Sequence, residues 1–180
     1  MHILDVAENS IRAEATLVEI TVSVQPDEDR LTVLIKDNGC GMDAEQLRHV
    51  QDPFFTTRTT RKIGLGVPFF KQAAESTGGT FRIESEKGKG TTVEAVFTLS
   101  HIDRMPLGDI TATVHTLIVF NERTDFLYTY RYKDRQFILD TRQMRKIVGE
   151  EVSFAEREIS VFIKEYLQAN KEETDDGADI

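Results

Sequence analysis

Three polar side chains near the amino terminus have the spacing that a helix places along one stripe of its surface. Asp5, Asn9 and Arg12 stand at positions i, i+4 and i+7, and residues at these spacings lie one above another on a helix. Asparagine is a poor residue for the middle of a helix, because its side chain competes for backbone hydrogen bonds. The stripe therefore has two interpretations: a solvated face with a chance ion pair, or polar groups collected for a ligand.

A glycine-flanked turn follows the end of a predicted strand. Asp37 closes that strand, and Gly39 and Gly41 follow at alternate positions. Glycine permits a sharp turn and a close approach of the backbone to a ligand, and a carboxylate can accept a hydrogen bond from an exocyclic amine. The turn is either a plain connection or the floor of a pocket.

Basic residues lead into a pair of glycines just before another predicted helix. The amino terminus of a helix offers backbone N–H groups to an anion, and neighbouring cations favour a phosphate as that anion. The residues of this segment, in chain order, are Arg58, Arg61, Lys62, Gly64, Leu65 and Gly66. Further along, the hydroxyl of Thr91 at the start of a strand either serves a β-turn or reaches a ligand.

Composition limits the class of protein. A chain of 180 residues suits one domain, or one domain with an appendage. Its net charge of −9 argues against nucleic-acid binding, and no apolar run reaches the ~20 residues of a membrane span. The amino terminus lacks a signal-peptide pattern, and a single cysteine excludes an internal disulfide framework. We therefore expect a cytoplasmic protein that binds neither nucleic acid nor membranes.

Helices and hairpins alternate over the first hundred residues, and these elements must position the polar groups. Helical and alternating apolar periodicities distinguish the two kinds of element. In chain order the sequence predicts a helix at 4–13, strands at 18–24 and 31–36, a short helix at 43–51, a helix beginning at 67–68, and strands at 80–86 and 92–99. This order predicts an α+β fold, a two-layer α/β sandwich with helices on one face of a mixed sheet.

The remaining residues predict a second unit and a tail. We expect residues 101–170 to form a C-terminal α/β extension and the acidic residues 171–180 to be disordered. The extension either packs on the first unit or forms a homodimer surface. Its predicted elements are a strand at 110–120, a hairpin of 126–132 with 136–140, and helices at 141–148 and 154–170.

Together, in this order, these groups resemble the ATP-binding domain of the GHKL superfamily of gyrase-type topoisomerases, ninety-kilodalton heat-shock chaperones, histidine kinases and MutL. The motifs are closest to those of histidine kinases. The resemblance covers residues 3–99 and implies a Bergerat-type ATP-binding domain over residues 1–100. The matching segments are 8–16 for the N box, 37–41 for the first glycine box, 52–57 for the F box, 64–66 for the second glycine box, and 78–80 with 88–92 for the closing stretch.

The resemblance implies a role for each candidate residue. Asn9 would bind Mg²⁺ between the nucleotide phosphates, and Arg12 would reach a phosphate. Asp37 would bind the adenine amine, with Thr91 supporting it directly or through water. The cations Arg58, Arg61 and Lys62 would form a lid over the β- and γ-phosphates. The other expected ATP contacts are Gly39, Gly41, Met42, Gly64, Leu65 and Gly66.

Departures from the family pattern leave the activity open. Relatives that hydrolyse ATP carry a glutamate base four residues before the asparagine, where this chain has the shorter Asp5; Glu8 is the second candidate base. No helical hairpin with a phosphoacceptor histidine precedes the domain, so we do not expect a complete sensor histidine kinase. The alternatives are an ATPase or kinase that acts slowly or on a separate protein, and a non-catalytic switch like the anti-sigma regulators, in which ATP controls binding to a partner.

Overall fold

The computed structural model describes residues 2–51 and 66–180. They form one six-stranded mixed sheet with strand order β3-β4-β2-β1-β5-β6. The elements are α1 (Ile3–Arg12), β1 (Leu17–Gln25), a 3₁₀ turn (Pro26–Glu28), β2 (Arg30–Asp37), α2 (Ala44–Val50), α3 (Gly66–Ser76), β3 (Thr80–Glu86), β4 (Gly90–Thr98), α4 (Ile110–Phe120), β5 (Asp125–Tyr132), β6 (Arg135–Asp140), α5 (Thr141–Val148) and α6 (Arg157–Asp175). The predicted α+β fold class is confirmed.

One face of the sheet carries the core, as the alternating sequence pattern predicts. Every second residue of β1 is buried, and the same alternation runs through β2 and β4. The helices α1, α3 and α4 contribute Val6, Phe70 and Leu117 to the same core, and α6 contributes Ile163. A layer of helices therefore fixes α1 and α3 against the face of the sheet.

The prediction of a strand at 110–120 is wrong, because this segment forms α4. It is rich in β-branched residues, which favour strands by intrinsic propensity. Asp109 caps the helix by accepting a hydrogen bond from the backbone N–H of Ala112 at 2.8 Å. Val114 and Ile118 are buried between neighbouring elements, and α4 contacts both α1 and α6. Tertiary burial on several sides thus outweighs the local preference.

The C-terminal half extends the same sheet. β5 pairs in parallel with β1 over the full strand, so that Tyr128 lies beside Ile20 and Tyr130 beside Val22. The sequence predicted a disordered tail from residue 171, but α6 continues to Asp175, whose side chain is buried. Among the helices described, none is both long enough and apolar enough to cross a membrane.

A buried polar cluster anchors the end of α6 to β5. Asp175 accepts a hydrogen bond from the hydroxyl of Tyr130 at 2.8 Å and pairs with the ammonium of Lys171 at 2.7 Å. Burial raises the pKa of Tyr130, and the hydrogen bond to Asp175 adds to that effect. The hydroxyl of neighbouring Tyr128 is also buried, but it has no hydrogen-bond partner among the described residues. The hydroxyl of Tyr130 therefore makes a buried hydrogen bond, whereas the hydroxyl of Tyr128 makes none to a described residue.

We expect the two phenylalanine substitutions to have different effects on stability. Tyr130→Phe removes a hydrogen bond to a buried carboxylate and should lower the free energy of unfolding by about 1–3 kcal/mol. The hydroxyl that Tyr128→Phe removes bonds no described residue. This substitution should therefore change the free energy of unfolding by less than about 0.5 kcal/mol, or raise it. Urea unfolding of both variants measures the difference, and equal losses would contradict the assignment of the Asp175 bond to Tyr130.

Candidate functional site

The end of β2 and the start of β4 bring the predicted acceptor residue into contact with three donors. Asp37 lies opposite Thr91 in the pairing of the two strands. Its Oδ1 accepts the backbone N–H groups of Gly39 at 2.9 Å and of Thr91 at 3.2 Å. Its Oδ2 accepts the hydroxyl of Ser10 on α1 at 2.6 Å. With only 8% of the residue exposed, the carboxylate is held in one orientation, yet an ionised carboxylate has lone pairs left for a further donor.

The hydroxyl of Thr91 belongs to a second, linked set of hydrogen bonds. Ser85 stands opposite Thr91 in the β3–β4 hairpin, and their hydroxyl oxygens lie 2.8 Å apart. Ser85 donates to the carbonyl of Gly90 at 3.0 Å and accepts the backbone N–H of Met42 at 2.8 Å. Because Ser85 has a single hydroxyl hydrogen, Thr91 must be the donor between the two side chains. The Thr91 oxygen therefore keeps its acceptor capacity.

The glycines of the turn after Asp37 allow its backbone to pack closely against neighbouring backbone segments. Gly41 has φ of +63°, and a Cβ there would lie 2.0 Å from the carbonyl oxygen of Glu86. A Cβ on Gly39 would lie 2.7 Å from the carbonyl oxygen of Ala13. The turn is thus packed between the end of α1 and the β3–β4 hairpin, where a side chain larger than hydrogen does not fit.

Asn38 joins this turn to the beginning of β1. Its Oδ1 accepts the backbone N–H groups of Thr16 and Leu17, both at 2.9 Å, and its Nδ2 donates to the Thr16 hydroxyl at 2.8 Å. Both the oxygen and the nitrogen of the amide therefore bond residues at the start of β1. The turn after Asp37 is consequently a rigid part of the sheet edge.

The candidate base on α1 lies against the start of α3. A Cβ on Gly66 would be 2.6 Å from the Cβ of Asp5, so the glycine allows the two helices to approach closely. The Asp5 side chain is 54% exposed, and its Oδ2 lies 3.1 Å from Nδ1 of His2. The structure thus brings together Asp5 and Gly66, two residues that the sequence placed in separate motifs.

Asn9 lies one turn after Asp5 on the same side of α1. The residue is half-buried, and its side-chain amide makes no hydrogen bond to another described residue. The next residue, Ser10, bonds Asp37. Asn9 therefore lies on α1 between Asp5, which contacts Gly66, and Ser10, which bonds Asp37, and its amide oxygen is available to a ligand.

The side chains of Glu8 and Arg12 pair with each other beside the groove between α1 and α4. The guanidinium Nη2 of Arg12 lies 3.6 Å from the carboxylate of Glu8, and its Nε donates to the Glu8 carbonyl at 3.3 Å. Both residues line a groove of about 440 Å³ between α1 and α4, together with exposed Phe120. Among the described residues, no hydrogen bond or ion pair joins the side chain of Glu8 or Arg12 to Asp37 or to the Asn9 amide.

Five predicted contacts lie outside the described residues: Arg58, Arg61, Lys62, Gly64 and Leu65. Within the described part of the chain, no group of three or more His, Cys, Asp or Glu residues could hold a metal ion. A metal at this site would need other ligands, such as an amide oxygen and phosphate oxygens.

Sequence reasoning missed the residues that hold the Asp37 carboxylate and the Thr91 hydroxyl. Ser10 lies within the predicted N box and is buried, and its position next to Asn9 was an available signal. Ser85 could have been found from the hairpin register, which pairs it with Thr91. The contact of His2 with Asp5 had no sequence signal beyond the spacing i, i+3.

Comparison with known proteins identifies the class of this fold and site. The sequence profile of the histidine kinase-, DNA gyrase B- and HSP90-like ATPases matches residues 2–101. The chain is 30% identical over 96 residues to sporulation kinase C of Bacillus subtilis, which covers 53% of this chain and 22% of that protein. It is 37% identical over 97 residues to the sensor histidine kinase ZraS of Klebsiella oxytoca, covering 53% of this chain and 20% of that protein. The chain thus spans about a fifth of the length of these two relatives.

A solved structure supports the same fold. The N-terminal domain of a DNA repair protein superimposes with a TM-score of 0.51 at 12% identity, covering 77% of this chain and 51% of that one. The superposition reaches beyond the hundred residues that match the profile. Since the profile matches more than half of the chain, the protein belongs to the histidine kinase-, DNA gyrase B- and HSP90-like ATPase family.

Proposed function

We propose that the protein binds ATP together with Mg²⁺ beside α1 and the Asp37 turn, and that it hydrolyses the nucleotide slowly. The observation that carries this proposal is the Asp37 carboxylate, which three donors hold at a glycine turn. A buried carboxylate with spare acceptor capacity suits an exocyclic amine such as that of adenine. The Thr91 oxygen, which also keeps acceptor capacity, would support the same amine directly or through water.

Asn9 would hold the metal. Its amide oxygen is a hard ligand of the kind that Mg²⁺ prefers, and Mg²⁺ commonly keeps several waters and phosphate oxygens beside one or two protein ligands. The side-chain amide of Asn9 bonds no other described residue, which suits such a site. The bound ion would neutralise charge on the phosphates.

Arg12 would need to move to take part in phosphate binding. It is half-exposed and paired with Glu8 on the surface, and such exposed pairs contribute little stability. A phosphate could therefore displace Glu8 from the guanidinium at small cost. We propose the same phosphate-binding role for Arg58, Arg61 and Lys62, on the basis of their sequence motif alone.

Bound ATP has two other possible uses, of which the comparisons support the first. Sporulation kinase C and ZraS are named as kinases, which favours phosphate transfer to a separate protein as the second candidate. The third is a switch in which ATP controls binding to a protein partner without turnover. The fate of the γ-phosphate distinguishes these alternatives.

We expect Asp5→Asn to slow ATP hydrolysis and Glu8→Gln to leave it unchanged. Asp5 lies against Gly66 on the side of α1 that carries Asn9, whereas Glu8 faces the groove and pairs with Arg12. Loss of a carboxylate that acts as or orients a base should lower kcat by about 100-fold. Phosphate release under saturating ATP and Mg²⁺ measures the effect, and an Asp5→Asn rate equal to the parent rate during measurable turnover would exclude Asp5.

A further inference from the structure

His2 is held between the first turns of α1 and α3, beside the candidate carboxylate. Its Nδ1 lies 3.1 Å from Oδ2 of Asp5, and its ring centroid is 5.7 Å from that of Phe69 on α3. The His2 side chain is 30% exposed, so the ring is neither buried nor free in solvent. Two contacts from two helices thus define the position of the imidazole.

The contact with Asp5 is not a helix cap. His2 occupies the position before α1, but its side chain makes no capping hydrogen bond to the backbone. Its Nδ1 instead faces a carboxylate on the side of α1 that approaches Gly66. The imidazole is therefore placed with respect to Asp5 rather than with respect to the helix end.

This geometry has a chemical consequence for the imidazole. A carboxylate that accepts the Nδ1–H hydrogen bond selects the tautomer in which Nε2 carries the lone pair. It also holds the ring in one orientation, as a carboxylate does for a histidine base in hydrolases. His2 and Asp5 are thus the residue types that form a general base and its orienting group.

The pair also answers the difficulty raised by the short side chain of Asp5. A carboxylate one methylene shorter than glutamate is set back from a water that a glutamate would contact, and reach decides whether a base works. An imidazole bonded to that carboxylate extends its reach by the width of the ring. The proton acceptor can then lie beyond the end of the Asp5 side chain.

We propose that His2 is the catalytic base of ATP hydrolysis and that Asp5 is its positioning residue. This inference rests on the proposed function. Nε2 of His2 takes a proton from water as the water oxygen forms a bond to the γ-phosphorus. The bond from that phosphorus to the β–γ bridging oxygen breaks, and its electron pair leaves on ADP. The proton on Nε2 later passes to solvent, which restores the pair.

Three variants of the full chain test the proposal by steady-state kinetics. His2→Ala removes the ring and should lower kcat by about 100-fold, because a positioned base contributes that much or more, while KM for ATP changes less than twofold. His2→Asn keeps an N–H donor for Asp5 but no basic nitrogen, so it should be as slow as His2→Ala. The matched control is His101→Ala, since His101 also neighbours an aspartate, Asp103, at 3.9 Å, far along the chain from α1; its kcat should equal that of the parent.

Added imidazole separates a base from a packing residue. It should restore kcat of His2→Ala at least tenfold at saturating imidazole and have no effect on His2→Asn, whose side chain fills the space. The proposal is overturned if kcat of His2→Ala lies within threefold of the parent, if His2→Asn turns over like the parent, or if imidazole restores nothing.

A separate binding titration distinguishes a failure of this proposal from a failure of the proposed function. A fluorescent ATP analogue with Mg²⁺ should bind the parent and His2→Ala with equal Kd. A parent that binds the analogue but does not hydrolyse ATP would overturn the role of His2 and leave nucleotide binding standing. A parent that fails to bind would overturn both.

Discussion

Asp37→Asn is expected to raise the Kd for Mg·ATP by about 10- to 150-fold. The new amide would present a donor to the adenine amine in place of an acceptor, and a lost hydrogen bond to a charged group costs about 1.5–3 kcal/mol. The fold should tolerate the change. The remaining oxygen can still accept the N–H groups of Gly39 and Thr91, and Ser10 can rotate its hydroxyl to accept the new N–H.

The control for this substitution is the same change at an exposed aspartate. Asp27 lies in the turn at the other end of the β1–β2 hairpin, so Asp27→Asn should leave the Kd within twofold of the parent value. Isothermal titration with Mg·ATP measures both variants. Tight binding by Asp37→Asn would remove the adenine assignment.

Asn9→Ala is expected to abolish the dependence of ATP binding on Mg²⁺ and to raise Kd in the presence of Mg²⁺ by about 10- to 100-fold. The substitution removes the only side-chain oxygen that we assign to the metal. Alanine is the better helix former by roughly 0.5 kcal/mol, and the Asn9 side chain bonds no described residue. The variant should therefore be at least as stable as the parent while it binds the nucleotide more weakly.

A second asparagine on a helix provides the control for Asn9. The side chain of Asn170 donates to the carbonyl of Tyr166 on α6 at 2.7 Å, in the C-terminal half of the chain. Asn170→Ala should leave both Kd and its Mg²⁺ dependence unchanged. Titrations with Mg²⁺ and with EDTA measure the dependence, and an Asn9→Ala protein that still requires Mg²⁺ would disprove the metal assignment.

The sequence was most informative where a local rule determines the structure. Asp43 was predicted at the start of a short helix, and it forms a complete capping box with Gln46. The limits of β3 were predicted to the residue, because alternation and flanking glycines define them. The Asp37 turn was recognised for the same reason, since a turn that needs glycines leaves a visible spacing.

The sequence was least informative where contacts between segments far apart in the chain determine the structure. The β-branched residues of α4 indicate a strand until α1 and α6 are known to surround it. No short-range signal shows that β5 pairs in parallel with β1, across more than a hundred residues. Likewise, Ser10 became a partner of Asp37 only through the packing of α1 on the sheet, and the end of α6 is ordered by Tyr130 and Lys171.

The position of α1 explains why one helix carries so many of the candidate residues. Its buried side includes Val6 and Ser10, and its neighbouring sides carry Asn9 and the Glu8–Arg12 pair. A ligand that engages Asn9 and draws Arg12 from Glu8 would alter both the site and the groove beside α4. Such a ligand would connect the proposed nucleotide site to an exposed surface without any rearrangement of the sheet.

A crystal structure of the protein grown with Mg²⁺ and a non-hydrolysable ATP analogue is the most direct test of the central claim. We predict that the adenine amino group lies within hydrogen-bonding distance of Asp37 and that the metal is bound by Asn9 and phosphate oxygens. A nucleotide bound in the groove between α1 and α4, or with its base away from Asp37, would contradict the account.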